Sequence, residues 1–87
     1  MISRKMIIKN ETGLHLKPAA VLCEEARKYS SLITFTCGTA TANLKSVLSI
    51  LGACVHSGDE IEIVVSGEDE EEAAAAVCRL IEEGIGG

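Results

Sequence analysis

The chain is 87 residues long, the length of one small domain, and we expect residues 1–87 to fold as a single domain. It carries 13 acidic and 8 basic residues, a net charge of −5, and its aromatic side chains are one tyrosine and one phenylalanine. Nucleic-acid binding needs clustered cations or stacking aromatic rings, so this composition argues against a nucleic-acid partner.

The sequence has no uninterrupted apolar run of about 18 residues, which a membrane-spanning helix would need. The N-terminus also lacks the apolar segment of a signal peptide, so we expect a cytoplasmic protein with no direct membrane insertion. The cysteines, Cys23, Cys37, Cys54 and Cys78, are dispersed rather than paired at the short spacing of zinc ligands. We therefore predict no metal, and free cysteines that mostly behave as small buried side chains.

Hydrophobic periodicity and turn residues predict seven elements. In chain order they are a strand over 2–9, a helix over 16–29, strands over 33–37 and 40–43, a short helix over 46–51, a strand over 60–65 and a helix over 69–83. The outward positions of the strands are Thr, Lys and Glu, so one face of the sheet should contact solvent. The predicted fold class is α+β: an open-faced β-sandwich in which three helices cover one face of a four-stranded antiparallel sheet, in the order β-α-β-β-α-β-α.

Two features towards the C-terminus admit more than one interpretation. The acidic run over 68–72 could hold a cation, but we favour an acid-rich first turn that complements the dipole of the last helix. The terminal pair, Gly86 and Gly87, is similar to a conjugation tail, and we interpret it as a frayed end.

The segment TGLHLKPAA places a histidine, His15, at the predicted start of a helix. Gly13 permits a tight turn before it. Pro18 fits the first helical turn, because the N–H that proline lacks would have no intrahelical partner there. We therefore expect the helix to begin near His15 or Leu16.

A helix that begins here leaves N–H groups free beside the imidazole. The N–H groups of Leu16 and Lys17, together with the Lys17 ammonium group, would favour a phosphate near His15. This pattern suits a histidine that accepts a phosphoryl group and gives it back. From the residues alone, the commoner alternative is a surface histidine with a local hydrogen bond. We interpret His56, in a Ser/Gly loop, as a solvated residue.

Two stretches resemble one protein family. GLHLKPAA, residues 13–20, resembles the active-site motif of HPr, the histidine-containing phosphocarrier of the bacterial phosphotransferase system. ANLKSVLSILG, residues 42–52, resembles the regulatory-serine segment of HPr from low-GC Gram-positive bacteria. Length and element order fit the same family, so the resemblance covers the whole chain. It implies a phosphoryl carrier without a cofactor, a protein substrate rather than a stand-alone enzyme, and we expect a monomer.

The resemblance implies a role for each matching residue. His15 would accept a phosphoryl group from enzyme I, which phosphoenolpyruvate charges, and pass it to the IIA domains of sugar permeases. The backbone N–H groups of Leu16 and Lys17 would hold the phosphate. Ser46 would be modified by the HPr kinase/phosphorylase, and the modified form would act as corepressor with the catabolite control transcription factor.

Ser46 also precedes a short apolar helix, so a helix N-cap is its default use. That use is compatible with phosphorylation, because a phosphate at an N-cap is well placed against the helix dipole. Val47, Leu48 and Leu51 are candidates for a hydrophobic patch that binds partner proteins. A place in the core is the alternative for each of them, and we expect at least one to be there.

The chain departs from the family at position 17, where HPr proteins commonly carry arginine. Lysine is a flexible point charge, whereas arginine pairs phosphate oxygens through a planar fork, so we expect Lys17 to give slower or less selective transfer. In the family, the loop at 52–56 lies close to the active histidine. Cys54 could therefore be partly exposed near His15, where a redox or metal role is conceivable.

Two other functions remain open at this stage. One is a regulatory member of the same family, which would act in carbon catabolite control through Ser46 with little transport flux. His15 argues against that function, and Lys17 leaves it open. The other is a sandwich that binds a small anion at the helix N-terminus without being phosphorylated.

Overall fold

This computed structural model describes residues 1–85, which contain three helices and four strands joined by turns and loops. In chain order they are β1 (Ile2–Ile7), α1 (Leu16–Ala26), β2 (Leu32–Cys37), β3 (Ala40–Asn43), α2 (Val47–Gly52), β4 (Glu60–Ser66) and α3 (Glu70–Glu82). The predicted order β-α-β-β-α-β-α is confirmed. Our expectation for Gly86 and Gly87 lies outside the described residues.

The four strands form one sheet in the order β1-β4-β2-β3, and every neighbouring pair is antiparallel. Successive side chains of a strand point to opposite faces, and β4 shows this clearly. Ile61, Ile63 and Val65 are buried, whereas Glu60 and Glu62 lie on the other face. The helices therefore cover one face only, and the predicted fold class, an open-faced antiparallel sandwich, is confirmed.

The two long helices bury residues at the three- and four-residue spacing of an amphipathic helix. These are Ala19, Leu22, Cys23 and Ala26 in α1, and Ala73, Ala74, Val77 and Ile81 in α3. The short α2 fully buries Ile50 alone. The two long helices run antiparallel, because the end of α1 meets the start of α3 and the end of α3 meets the start of α1.

Helix α1 ends at Ala26, three residues before the predicted end. After Ala26 the chain changes to 3₁₀-type hydrogen bonds, in which an N–H donates to the carbonyl three residues earlier. The Tyr29 N–H, for example, donates to the Ala26 carbonyl at 3.2 Å. Lys45 Nζ then donates to the Tyr29 carbonyl at 2.6 Å. Tyr29 continues the apolar stripe of α1, which consists of Ala19, Leu22, Cys23 and Ala26, and packs half-buried against the core.

Strand β1 ends at Ile7, two residues before the predicted end. The next residue, Ile8, stays buried and bonds to the turn before β4. Its N–H donates to the Asp59 carbonyl at 2.9 Å, and its carbonyl accepts from the Gly58 N–H at 2.8 Å. The chain therefore leaves the ladder but remains attached to the sheet until the turn that precedes His15.

The cysteines are all free, and they differ in exposure. Cys23 is buried as predicted, whereas Cys37 and Cys78 are half-buried and Cys54 is exposed. Burial raises the pKa of the Cys37 and Cys78 thiols, so both stay protonated at neutral pH. Among residues 1–85, no three His, Cys, Asp or Glu side chains are grouped to hold a metal ion. No helix in the same range is both long enough and apolar enough to cross a membrane.

Asp69 joins the start of α3 to the start of β2. Its carboxylate accepts hydrogen bonds from the N–H of Ser30 at 2.9 Å, the N–H of Ser31 at 3.0 Å and the Ser31 hydroxyl. The hydrogen bond from the Ser31 hydroxyl is the largest cause that holds the pKa of Asp69 below its usual range, and the bond from the Ser30 N–H is the next. Glu70, Glu71 and Glu72 form the acidic first turn of α3, as predicted, whereas Glu68 lies before the N-cap residue Asp69.

Asp69→Asn should lower the free energy of unfolding at neutral pH, because an amide NH₂ would face one of the donors that the carboxylate now accepts. The pKa of Asp69 is lower in the folded state than in the unfolded state. The stability that the Asp69 carboxylate contributes is therefore fully present above about pH 3.9, where unfolded Asp titrates, and is lost as the pH falls further. The stability difference between wild type and variant should therefore shrink below that pH in urea titrations. Glu72→Gln, in the same helical turn, is the control. A difference that persists unchanged at low pH would contradict this role of Asp69.

Candidate functional site

His15 occupies the N-cap of α1. Its backbone is extended, with φ −78° and ψ −171°, and its side chain is exposed and makes no capping hydrogen bond. The Ala19 N–H donates to the His15 carbonyl at 2.9 Å and so begins the intrahelical ladder. The N–H groups of Leu16 and Lys17 lie in the first turn, before that ladder starts, and Pro18 has none. The helix thus begins at Leu16, within the predicted range, and places N–H groups that have no intrahelical partner beside the imidazole.

A tight turn brings the chain to His15. Gly13 has φ +65°, and its N–H donates to the Asn10 carbonyl at 3.0 Å, while Asn10 Nδ2 donates back to the Gly13 carbonyl. The Leu14 N–H then donates to the Val55 carbonyl at 3.0 Å, and its side chain is only 3% exposed. His15 is therefore the first exposed residue after a backbone that is bonded on both sides.

The end of α3 forms one wall of the site. An open cleft of about 700 Å³ is lined on one side by His15 and the first turn of α1, and on the other by Gly84 and Ile85. Ile85 is 3% exposed, and its N–H donates to the Leu80 carbonyl at 2.8 Å, while the Gly84 N–H donates to the Ile81 carbonyl at 3.2 Å. This is the Schellman pattern of a helix C-terminus. The sequence predicts that the last helix ends at 83, just before Gly84, but it does not predict the position of Ile85 beside His15.

The loop after α2 forms another wall. Leu51, Cys54 and His56 share with His15 a shallow cleft of about 240 Å³. Cys54 is exposed with φ +53°, so its expected exposure near His15 agrees with the structure. His56 is exposed as expected, and its N–H donates to Asp59 Oδ2 at 2.9 Å. Its nearness to His15 agrees with the family resemblance, which implied that the loop at 52–56 lies close to the active histidine.

Ser46 is the N-cap of α2, as predicted, and its hydroxyl accepts from the Ser49 N–H at 3.2 Å. The three candidate patch residues differ from the expectation in one respect, because none of them is fully buried. Leu48 is 82% exposed, whereas Val47 and Leu51 are half-buried and pack against the core from its rim. A six-residue helix directs one side chain into the core, and here that side chain is Ile50, the buried residue of α2.

These features define a class of protein: an open-faced sandwich that presents one exposed histidine at a helix N-terminus beside an apolar surface. A family model described as "PTS HPr component phosphorylation site" matches residues 2–83. Phosphocarrier protein HPr of Mycoplasma capricolum is 39% identical over 71 residues, which cover 82% of this chain and 80% of the relative. HPr of Borreliella burgdorferi is 37% identical over 82 residues, covering 94% and 95%. The chain belongs to the HPr family.

Solved structures agree with this assignment. HPr-C-His from Thermoanaerobacter tengcongensis superposes with a TM-score of 0.96 at 38% identity and covers 100% of this chain and 98% of its own. The family also includes the HPr-like protein Crh of Bacillus subtilis, 28% identical over 85 residues, which cover 98% of this chain and 100% of Crh. Solved relatives include an HPr dimer and a Crh dimer, so the monomeric state of this chain stays a prediction.

Gly13→Ala should cost roughly 1–3 kcal/mol more of unfolding free energy than Gly38→Ala, because a Cβ at Gly13 would be forced against packed backbone. That Cβ would lie 2.8 Å from the His56 Cα and closer still to the Val55 carbonyl oxygen. Gly38 has a similar φ, +62° against +65°, but has open space around its Cβ position. Urea denaturation of both variants separates crowding from the cost of positive φ. Equal losses would show that the close approach at Gly13 contributes nothing.

Proposed function

We propose that this chain is a phosphocarrier of the phosphoenolpyruvate-dependent sugar phosphotransferase system, and that it works in the cytoplasm. His15 accepts a phosphoryl group from enzyme I and passes it to the IIA domains of sugar permeases. The observation that carries the proposal is the exposed imidazole at the N-terminus of α1, which makes no capping hydrogen bond of its own. The chain acts as a protein substrate in both transfers, so its surface must suit two kinds of partner.

The chemistry needs little beyond this geometry. The lone pair of a neutral ring nitrogen attacks phosphorus, and the N–P bond to His15 forms as the bond between phosphorus and enzyme I breaks. The ring keeps the proton on its other nitrogen. The phosphoryl oxygens then accept hydrogen bonds from the Leu16 and Lys17 N–H groups, at the positive end of the helix dipole. Donation to a IIA domain reverses the same steps.

Lys17 adds a positive charge in the first turn of α1. Its exposed side chain is flexible and binds phosphate as a point charge, without the planar fork of the arginine that the family commonly carries here. The backbone donors at Leu16 and at Lys17 itself do not depend on that side chain. Lys17 therefore adjusts the rate and selectivity of transfer rather than creating the site.

Apolar side chains around the histidine provide a docking surface for partner proteins. Leu16 is 66% exposed next to His15, and Leu51 lines the shallow cleft that it shares with the imidazole. Leu48 on α2 is 82% exposed, and half-buried Val47 lies beside it in the chain. Burying these leucines against a partner would provide hydrophobic free energy that the isolated chain forgoes.

Incubation with enzyme I and labelled phosphoenolpyruvate should give an acid-labile label on the wild type, because phosphohistidine hydrolyses in acid. His15→Ala should lose that label. His56→Ala is the matched control, since it removes the other histidine from the same cleft, and its label should remain. A wild type that takes up no label would refute the carrier function. A label that survives in His15→Ala but not in His56→Ala would move the acceptor to the other ring.

A regulatory function through Ser46 is the second candidate, and the family membership of Crh favours it. HPr kinase/phosphorylase would modify the Ser46 hydroxyl, and the modified chain would bind the catabolite control transcription factor. A phosphate there adds negative charge beside exposed Leu48, so it would change the docking surface without unfolding α2. If this function stood alone, the chain would be an HPr-like regulator with little transport flux.

ATP and the kinase should place an acid-stable label on the wild type and none on Ser46→Ala. That substitution should also lower the free energy of unfolding by about 1 kcal/mol, because the N-cap bond to the Ser49 N–H is lost. Ser49→Ala is the matched control on the same helix and should keep the label. Mass spectrometry that found the phosphate on Ser49 instead would contradict this assignment.

A further inference from the structure

The side chain of Asn10 closes the turn that precedes His15. The side-chain Nδ2 of Asn10 donates to the Gly13 carbonyl, and the backbone carbonyl of Asn10 accepts from the Gly13 N–H at 3.0 Å. Asn10 therefore holds both backbone polar groups of Gly13. A backbone bond alone would close the turn at one point, and the amide adds the second.

The far side of Gly13 is held by packing. A Cβ there would lie 2.8 Å from the His56 Cα, so the glycine rests directly on the backbone of the 55–56 segment. The Leu14 N–H donates to the Val55 carbonyl at 3.0 Å. Asn10 on one side and the 55–56 segment on the other thus confine the residues immediately before His15.

The His15 side chain makes no capping hydrogen bond to the N-terminus of α1. Its position relative to the Leu16 and Lys17 N–H groups depends on the backbone that enters α1. Asn10 lines the same open cleft as His15, but its contribution reaches the imidazole through the turn.

The side-chain oxygen of Asn10 supports a role for its Nδ2 donor beyond stability. Within the described residues, Asn10 Oδ1 is buried and has no hydrogen-bond partner. A buried amide oxygen without a partner lowers stability, so it offsets part of what the Nδ2 bond contributes to the fold. The gain from this amide lies in where it holds the Gly13 carbonyl.

We propose that Asn10 is a positioning residue for phosphoryl transfer at His15. The proposal rests on the proposed carrier function. Transfer requires the ring nitrogen and the N–H donors to be in place together, and a displacement of about 1 Å can cost roughly a hundredfold in rate. Loosening the turn should therefore lower the rate of transfer within the complex. Docking should be unaffected, because the exposed leucines lie outside the turn.

The test compares two variants of Asn10 with wild type as substrates of enzyme I. Asn10→Asp keeps the shape but has no donor at neutral pH, and Asn10→Ala removes the donor without adding charge. Both should lower kcat by about tenfold with KM within about twofold of wild type, since the interaction lost acts in the transition state. Asp69→Asn is the matched control, because it disturbs side-chain-to-backbone bonds at the opposite end of the sandwich. Its kcat should stay at the wild-type value.

Backbone NMR relaxation measures the positioning directly and needs no enzyme I. The order parameters of the Leu14 and His15 amides should fall from the rigid value of about 0.85 towards about 0.6 in both Asn10 variants. Unchanged order parameters would overturn the proposal, even if the wild type were never phosphorylated. An unchanged kcat, a raised KM at constant kcat, or an equal loss in Asp69→Asn would overturn it as well. A wild type that takes no phosphoryl group would instead refute the carrier function.

Discussion

The site depends on one close approach, that of Gly13 to the backbone of Val55 and His56. No side chain fits between these segments, so the chain before α1 and the loop after α2 share one wall. The Leu14 N–H, bonded to the Val55 carbonyl, sets the direction from which the chain enters the helix. His15 follows at once, exposed, at the point where helix donors are still unpaired.

The opposite end of the helical layer is joined by a different kind of interaction. There the Asp69 carboxylate accepts three hydrogen bonds from Ser30 and Ser31, and so ties the start of α3 to the segment that leads into β2. The start of α1 is thus held against the loop after α2 by backbone packing, and the start of α3 is held to Ser30 and Ser31 by a charged group. The contacts that hold Gly13 and Leu14 before His15 come from backbone groups and from the neutral Asn10 amide, not from a charged side chain.

The short helix α2 contributes little to the hydrophobic core. One buried side chain, Ile50, attaches α2 to the core, and the other apolar residues lie at the rim or in solvent. Exposed Leu48 and Leu16 contribute little to the stability of the isolated chain. Their exposure would be explained by partner proteins that cover them, as in the function proposed above.

Local patterns determined most of the fold. Alternation defined the strands, the three- and four-residue spacing defined both long helices, and Ser46 and Pro18 marked two helix starts because capping and proline chemistry are local. The end of α1 was harder to predict. Tyr29 continues the apolar stripe, but the last turn tightens and its carbonyl accepts from Lys45, which is 16 residues away. Periodicity reports which face is buried and does not report where the hydrogen-bond ladder stops.

The site divides in the same way. The sequence by itself determined that His15 would stand at a helix N-terminus with the Leu16 and Lys17 donors beside it, since every contributing residue lies within a few positions. Local residues did not determine what surrounds the ring. Only the tertiary structure placed Ile85 there from the end of α3, and the loop after α2, which carries His56, was expected there from the family resemblance alone. These residues are 70 and 41 positions away in the chain. Their approach follows from how helices and loops pack, which no local pattern encodes.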